Sequence, residues 1–82
     1  MEQLIKFIED NKLTFASGSG GDSNILALCG YATFIGASAD ECIKVANNKD
    51  CNYEIERIHE YAVKHNYAAF WNTDSAKAQY KF

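Results

Sequence analysis

Apolar residues recur at helical spacing in four stretches of the chain. Near the N-terminus, Leu4, Ile5 and Ile8 share one side of a helix drawn over residues 2–11, and the acidic residues fall elsewhere. Three more stretches with the same periodicity follow, over residues 23–35, 39–47 and about 50–65. The pattern therefore predicts four helices.

Residues typical of helix ends support these boundaries. Either Asp22 or Ser23 is suited to cap the second helix, and Gly36 is suited to end it. Residues 38–41 have the S-x-x-E form of a capping box, and Asn66 suits the left-handed position after the fourth helix. The second helix has an alternative, because residues 24–35 also allow two strands that turn at residues 29–31.

Three other stretches have a period of two or a β-prone composition. Leu13 and Phe15 alternate with polar residues over 13–16, and residues 67–71 read YAAFW. Residues 76–82 alternate apolar and polar side chains after the turn-like residues 72–75, which predicts a C-terminal hairpin of the strands 67–71 and 76–82. We therefore expect one domain over residues 1–82, an α+β fold in which a small antiparallel sheet of about three strands packs against three or four short helices.

Composition restricts the possible partners. The chain has 82 residues, is 48% hydrophobic and carries a net charge of −3, so we expect a folded acidic domain with no general attraction to nucleic acid or anionic membranes. No run of about 18 apolar residues suggests a membrane span. The cysteines Cys29, Cys42 and Cys51 lack C-x-x-C spacing, which favours reduced thiols and a cytoplasmic location.

The glycine-rich stretch FASGSGGDSN, residues 15–24, raises the question of catalysis or phosphate binding. Its spacing matches neither GxGxxG nor GxxxxGK[ST], and the GDS tripeptide lacks the D-x-x-H setting that GDS-type hydrolases use. A connecting loop with a helix cap is the simpler interpretation. Ser19 and Asp22 are its candidate contact residues, because binding residues favour loops on a rigid scaffold.

Residues 28–47 resemble the helix-turn-helix motif of bacterial regulators, with a small residue at Ala32 and the turn at Gly36. The second helix would begin with Asp40 and Glu41, and residues 39–60 hold six acids against three bases. This charge opposes phosphate contacts. A DNA-binding regulator is therefore the alternative function, not the leading one.

Other combinations of residues do not amount to a catalytic or metal site. Glu56 and His59 have the i, i+3 spacing of one helical metal-ligand pair, but a complete site needs more ligands. No nucleophile–base pair is evident, so we expect neither an enzyme nor a cofactor. The aromatic residues near the C-terminus are expected to be core, and the strand over 76–82 offers a sheet edge through which a homodimer would form.

The leading interpretation rests on acidic residues expected on one helical face. Such a face suits a protein or ribonucleoprotein with a basic surface. Together with the loop residues, the candidate partner-binding set is Asp40, Glu41, Asp50, Glu54, Glu56, Glu60, Ser19 and Asp22.

The opening stretch LIKFIEDNKLTFASGSGGDSN resembles the helix, strand and GTDSN-type loop of a Cas9 inhibitor among the anti-CRISPR proteins. These are small acidic inhibitors carried by phages and mobile elements. The likeness covers about a quarter of the chain, and LCGYATFIGAS departs from it. The resemblance implies a protein-binding inhibitor without chemistry of its own, acting on a nucleic-acid-handling protein such as a CRISPR–Cas effector.

Overall fold

The computed structural model describes residues 1–15, 21–47 and 52–82, except for the side chains of Asp22, Asn52 and Tyr53. Within these residues the regular elements are helices. They are α1 (Glu2–Asn11), α2 (Gly21–Ile35), α3 (Ala39–Ala46), α4 (Asn52–Lys64), a 3₁₀ helix (Tyr67–Asn72) and α5 (Asp74–Gln79).

The central element is α2, which contacts α1, α3, α4 and the 3₁₀ helix. A helix that is covered on most sides needs apolar residues around most of its circumference. The sequence of α2 meets this need, because six consecutive residues, 27–32, are all buried. This composition explains why residues 24–35 form one helix and not the alternative pair of strands.

Aromatic side chains fill one end of the core. The ring of Phe7 stacks on that of Tyr31 with centroids 4.3 Å apart, and Trp71 meets both rings edge-on. Tyr80 lies 5.0 Å from the Trp71 ring. We call Phe7, Tyr31, Trp71 and Tyr80 the ring cluster.

Gly30 lets the ring cluster close onto α2. A Cβ atom at this position would stand 2.8 Å from Nε1 of Trp71, which is closer than real Cβ contacts. Trp71 is 2% exposed, and its Nε1 has no hydrogen-bond partner among the described residues. A glycine inside α2, unfavourable for the helix alone, is therefore explained by close packing.

The predicted helix ends are largely confirmed. The hydroxyl of Ser38 accepts a hydrogen bond from the backbone N–H of Glu41, and Asn66 has the left-handed conformation with φ 53°. Gly36 has φ +81°, and the N–H of Ala37 bonds back to the carbonyl of Ala32, which ends α2. The cap predicted at Asp22 or Ser23 is wrong by a small margin, because α2 already begins at Gly21.

The predicted α+β fold class is wrong, since none of the described residues forms a strand. Residues 13–15 have no regular secondary structure, although Leu13 is half-buried and Phe15 buried, as the alternation suggested. The amide of Asn24 donates to the carbonyl of Thr14 and ties this segment to α2. Ala16, the last residue of the predicted strand, lies outside the described residues.

The predicted C-terminal hairpin is replaced by the 3₁₀ helix and α5. The turn-like residue Thr73 instead caps α5, because its hydroxyl accepts a hydrogen bond from the N–H of Ala76. Ala76 and Tyr80 face the core and are four residues apart, as residues on one side of a helix are. The same two positions also lie on one face of a strand, which explains the mistaken prediction. The proposed homodimer edge is lost with the strand, because residues 76–79 are helical and the tail bonds to Asn11 of the same chain.

Candidate functional site

The acidic residues predicted to bind a partner lie on α3 and α4, two helices that pack against each other. Asp40 on α3 and Glu54, Glu56 and Glu60 on α4 are exposed, and Glu41 is half-buried. Ser38 fixes the start of α3 through its bond to the Glu41 backbone. The two helices therefore hold these carboxylates on a rigid support.

The carboxylates of α4 do not form a single face. Glu54 and Glu56 are two residues apart, which places them about 160° apart around the helix axis. Glu54 pairs with Arg57, whose Nη1 lies 3.9 Å from the Glu54 Oε1. Glu56 and Glu60 have the spacing of four that puts both on the other side. The predicted acidic residues of α4 therefore lie on two sides of the helix, with Glu54 on one side and Glu56 and Glu60 on the other.

Apart from Glu54, the exposed carboxylates of the predicted set are Asp40 on α3 and Glu56 and Glu60 on α4, and we use the name acidic surface for these three residues. Its three carboxylates make no ion pair with any residue that the structure describes. Two other predicted contact residues, Ser19 and Asp50, lie outside the described residues. So does the side chain of Asp22, whose backbone belongs to the first turn of α2.

The thiols on α2 and α3 are poorly suited to act as nucleophiles. Cys29 and Cys42 are both fully buried, and the Cys29 Sγ lies 3.8 Å from the carbonyl oxygen of Ile55. A hydrogen bond to Cys42 and burial raise the pKa of the Cys29 thiol. The same hydrogen bond lowers the pKa of the Cys42 thiol. Both sulfur atoms are buried, however, so a substrate in solution does not reach them in the folded protein.

Neither histidine is placed as a base beside a nucleophile. The Nε2 of His59 lies 3.0 Å from the carbonyl oxygen of Ala37, which occupies that nitrogen. The ring of His65 lies against that of Tyr61, with centroids 4.3 Å apart. Glu56, the suggested metal partner of His59, is exposed, and no group of three metal-binding side chains occurs within residues 1–15, 21–47 and 52–82.

The connection between α2 and α3 has the form that the helix-turn-helix interpretation required. Three residues, 36–38, join the two helices, and Ala32 is fully buried one turn before Gly36. The exposed residues of α3 include Asp40 and Lys44, with the half-buried Glu41 between them. The predicted pair of helices joined by a short turn is therefore present as α2 and α3. The first turn of α3, however, carries acidic side chains, which would repel DNA phosphates.

The structure has a groove beside α2 that the sequence did not lead us to expect. It is bounded by the first half of α2, by His65 and Asn66, which follow α4, by the 3₁₀ helix and by Tyr80. Its signal in the sequence was the single tryptophan among other aromatics, but those residues were assigned to a hairpin. The groove only exists because residues 67–72 form a 3₁₀ helix against α2.

Comparisons with protein-family models, with curated proteins and with solved structures found no match for this chain. Among the described helices, none combines the length and the apolar character needed to cross a membrane.

Proposed function

We propose that the protein is a non-enzymatic inhibitor or interaction module that docks its acidic surface on a basic region of a nucleic-acid-handling protein. In this proposal the partner is a nuclease or ribonucleoprotein such as a CRISPR–Cas effector. The protein works in the cytoplasm and is encoded by a phage or mobile element. The resemblance of its opening stretch to an anti-CRISPR inhibitor supports this class of partner.

The observation that carries the proposal is the exposure of Asp40, Glu56 and Glu60 without ion pairs to described residues. Because the backbone of packed helices is already ordered, only the side chains lose conformational freedom on binding, and their charge attracts a basic partner before contact. A surface of this kind favours fast association and selects against acidic partners.

The state of the cysteines supports an action through binding and not through chemistry. Cys29 and Cys42 are buried thiols, and the raised pKa of Cys29 disfavours its thiolate. Reduced thiols of this kind are also what a cytoplasmic protein keeps.

The first test is a tagged pull-down from bacterial lysate that expresses defence nucleases, with and without nuclease digestion, read by mass spectrometry. We expect a nucleic-acid-handling protein to remain bound after digestion. The captured protein is then purified, and its affinity and its cleavage activity are measured with this protein added.

A charge-reversal variant decides whether the acidic surface makes the contact. The triple variant Asp40→Lys, Glu56→Lys, Glu60→Lys should weaken binding at least about tenfold, because three favourable charge pairs become repulsive. The matched control, Glu2→Lys, Glu9→Lys, Asp10→Lys, makes the same change of net charge on the exposed side of α1. Equal loss in both variants, or no loss in the first, would refute docking through the acidic surface.

A helix-turn-helix regulator is the second candidate, because the three-residue turn between α2 and α3 favours it. Its recognition helix would be α3, which places Asp40 and Glu41 where phosphates would approach. A duplex gel shift at low and moderate salt separates the two candidates. A shift that falls steeply with salt would support the regulator, and we expect none.

A further inference from the structure

The groove beside α2 has the size and lining of a small-molecule site. Its volume is about 560 Å³, within the range of roughly 300–1,000 Å³ common for ligand sites. The residues that line it are Ser23, Leu26, Ala27, His65, Asn66, Tyr67, Phe70, Trp71 and Tyr80.

Aromatic rings form much of this lining. Phe70 meets Trp71 edge-on with ring centroids 5.3 Å apart, and the ring centroid of Tyr80 lies 5.0 Å from that of Trp71. Phe70 is 36% exposed, so part of its ring is open to a ligand. The ring of Tyr61 meets that of Tyr67 edge-on, with centroids 5.7 Å apart, and limits the orientations open to the Tyr67 ring. Rings fixed in this way offer stacking surfaces at little entropic cost.

The groove also offers polar side chains that do not belong to acids, lysine or arginine. Ser23, His65 and Asn66 line it, and their side chains make no hydrogen bond to another described residue. Among the residues that the structure describes, no lysine, arginine, aspartate or glutamate belongs to the lining. A charged ligand would therefore lose hydration here without gaining an ion pair.

We propose that this groove is a binding site for an uncharged, planar aromatic ligand with a hydrogen-bonding edge. Its ring stacks against the aromatic lining, and its polar edge reaches Ser23 or Asn66. The site shares no residue with the acidic surface, so the proposal does not depend on the function proposed above.

The single tryptophan gives a direct readout, because Trp71 lines the groove and its indole N–H gives one resolved signal in a ¹H–¹⁵N spectrum. Labelled protein is titrated with indole, a neutral planar probe, and separately with cyclohexanol, which is neutral but not planar. We expect indole to produce saturable shifts at Trp71 and at residues of the groove such as Ala27, and cyclohexanol to produce none that saturate.

Two phenylalanines with the same exposure make a matched pair of variants. Phe70 and Phe34 are each 36% exposed, but only Phe70 lines the groove. Phe70→Ala should weaken indole binding about fivefold or more, through loss of a stacking surface. Phe34→Ala should leave the dissociation constant within about twofold. Ser23→Tyr, at an exposed position, fills the opening of the groove without disturbing the core and should also abolish binding.

Three results would overturn the proposal. The first is an indole titration without saturation or with shifts spread over the whole surface. The second is equal affinity for cyclohexanol, which would make the groove merely apolar. The third is an equal loss of affinity in the two phenylalanine variants, or unchanged affinity in Ser23→Tyr.

Discussion

The ring cluster and the packed helices α3 and α4, which we call the hairpin in this Discussion, are two regions with different tasks. The first provides stability, and the second carries the surface proposed for recognition. The ring cluster joins α1, α2, the 3₁₀ helix and the tail through large rings that touch one another. The hairpin is held by smaller side chains such as Cys42 and Ile55, and it carries the acidic surface outside. Because the rings bury more apolar area, the ring cluster should contribute most to stability. The exposed side chains of α3 and α4 contribute little to it and can therefore serve binding.

The largest effect should come from the centre of the ring cluster. Trp71→Ala removes a ring that contacts Phe7, Tyr31 and Tyr80, and we expect the free energy of unfolding to fall by about 3–5 kcal/mol. Urea unfolding followed by circular dichroism measures this loss. Its control, Phe70→Ala, removes an exposed neighbour and should cost about 1 kcal/mol. Similar losses in the two variants would show that the cluster is not organised around Trp71.

Two helix caps with matched geometry compare the regions directly. The hydroxyls of Ser38 in the hairpin and Thr73 beside the ring cluster each accept from a backbone N–H at 3.3 Å. Thr73 also donates to the carbonyl of Phe70 at 2.6 Å. We expect Thr73→Ala to cost about 1–2 kcal/mol and Ser38→Ala about 1 kcal/mol, measured by urea unfolding. A larger loss for Ser38→Ala would reverse the ranking of the two regions.

Alkaline pH should weaken the contact between α2 and the hairpin. The raised pKa of Cys29 keeps its thiol protonated in the folded state, whereas the unfolded thiol ionises above about pH 8.5. Above that pH the unfolded state binds fewer protons than the folded state. The contribution of Cys29 to the free energy of unfolding is therefore complete below about pH 8.5 and is lost as the pH rises. The lowered pKa of Cys42 acts in the opposite direction, so we expect stability to fall by less than about 1.4 kcal/mol between pH 7.5 and pH 9.5.

Cys29→Ser provides the control for this pH dependence, because serine does not ionise in this range. Its unfolding free energy should change less between the two pH values than that of the original chain, whatever its stability at pH 7.5. An identical change in both proteins would mean that Cys29 is not the group responsible.

The smallest effect should come from the acidic surface. Neutralising it with Asp40→Asn, Glu56→Gln and Glu60→Gln should change the unfolding free energy by less than about 1 kcal/mol in total, because these side chains are exposed. Thermal unfolding at low and high salt checks this. A large loss of stability would show that the carboxylates support the fold, and the proposed separation between the two regions would fail.

Helix boundaries could be predicted wherever the local signals agreed. Ser38, Gly36 and Asn66 act within one turn of their own helix ends, through a side-chain cap or a left-handed backbone. The division of the acidic face was also contained in the sequence, because a spacing of two cannot place Glu54 and Glu56 on the same side of a helix. That inference needed only the helical assignment of residues 52–64.

The C-terminal third could not be predicted in this way. A run such as YAAFW has β propensity, and the alternation over residues 76–82 fits a strand as well as a short helix with Ala76 and Tyr80 on one side. The choice depends on contacts made far along the chain. Trp71 packs on Gly30, and both backbone groups of Lys81 bond to the side chain of Asn11.

The sequence by itself therefore determined α1, α3 and α4, most of the helix ends and the acidic character of α3 and α4, because these follow from neighbours within one or two turns. For α2 it allowed a pair of strands as well as a helix. Only the tertiary structure decided that the C-terminal residues are helical, that Trp71 closes the core and that a groove opens beside α2. The physical reason is that burial of large rings outweighs weak local propensity, and which rings meet is fixed only when distant segments pack together.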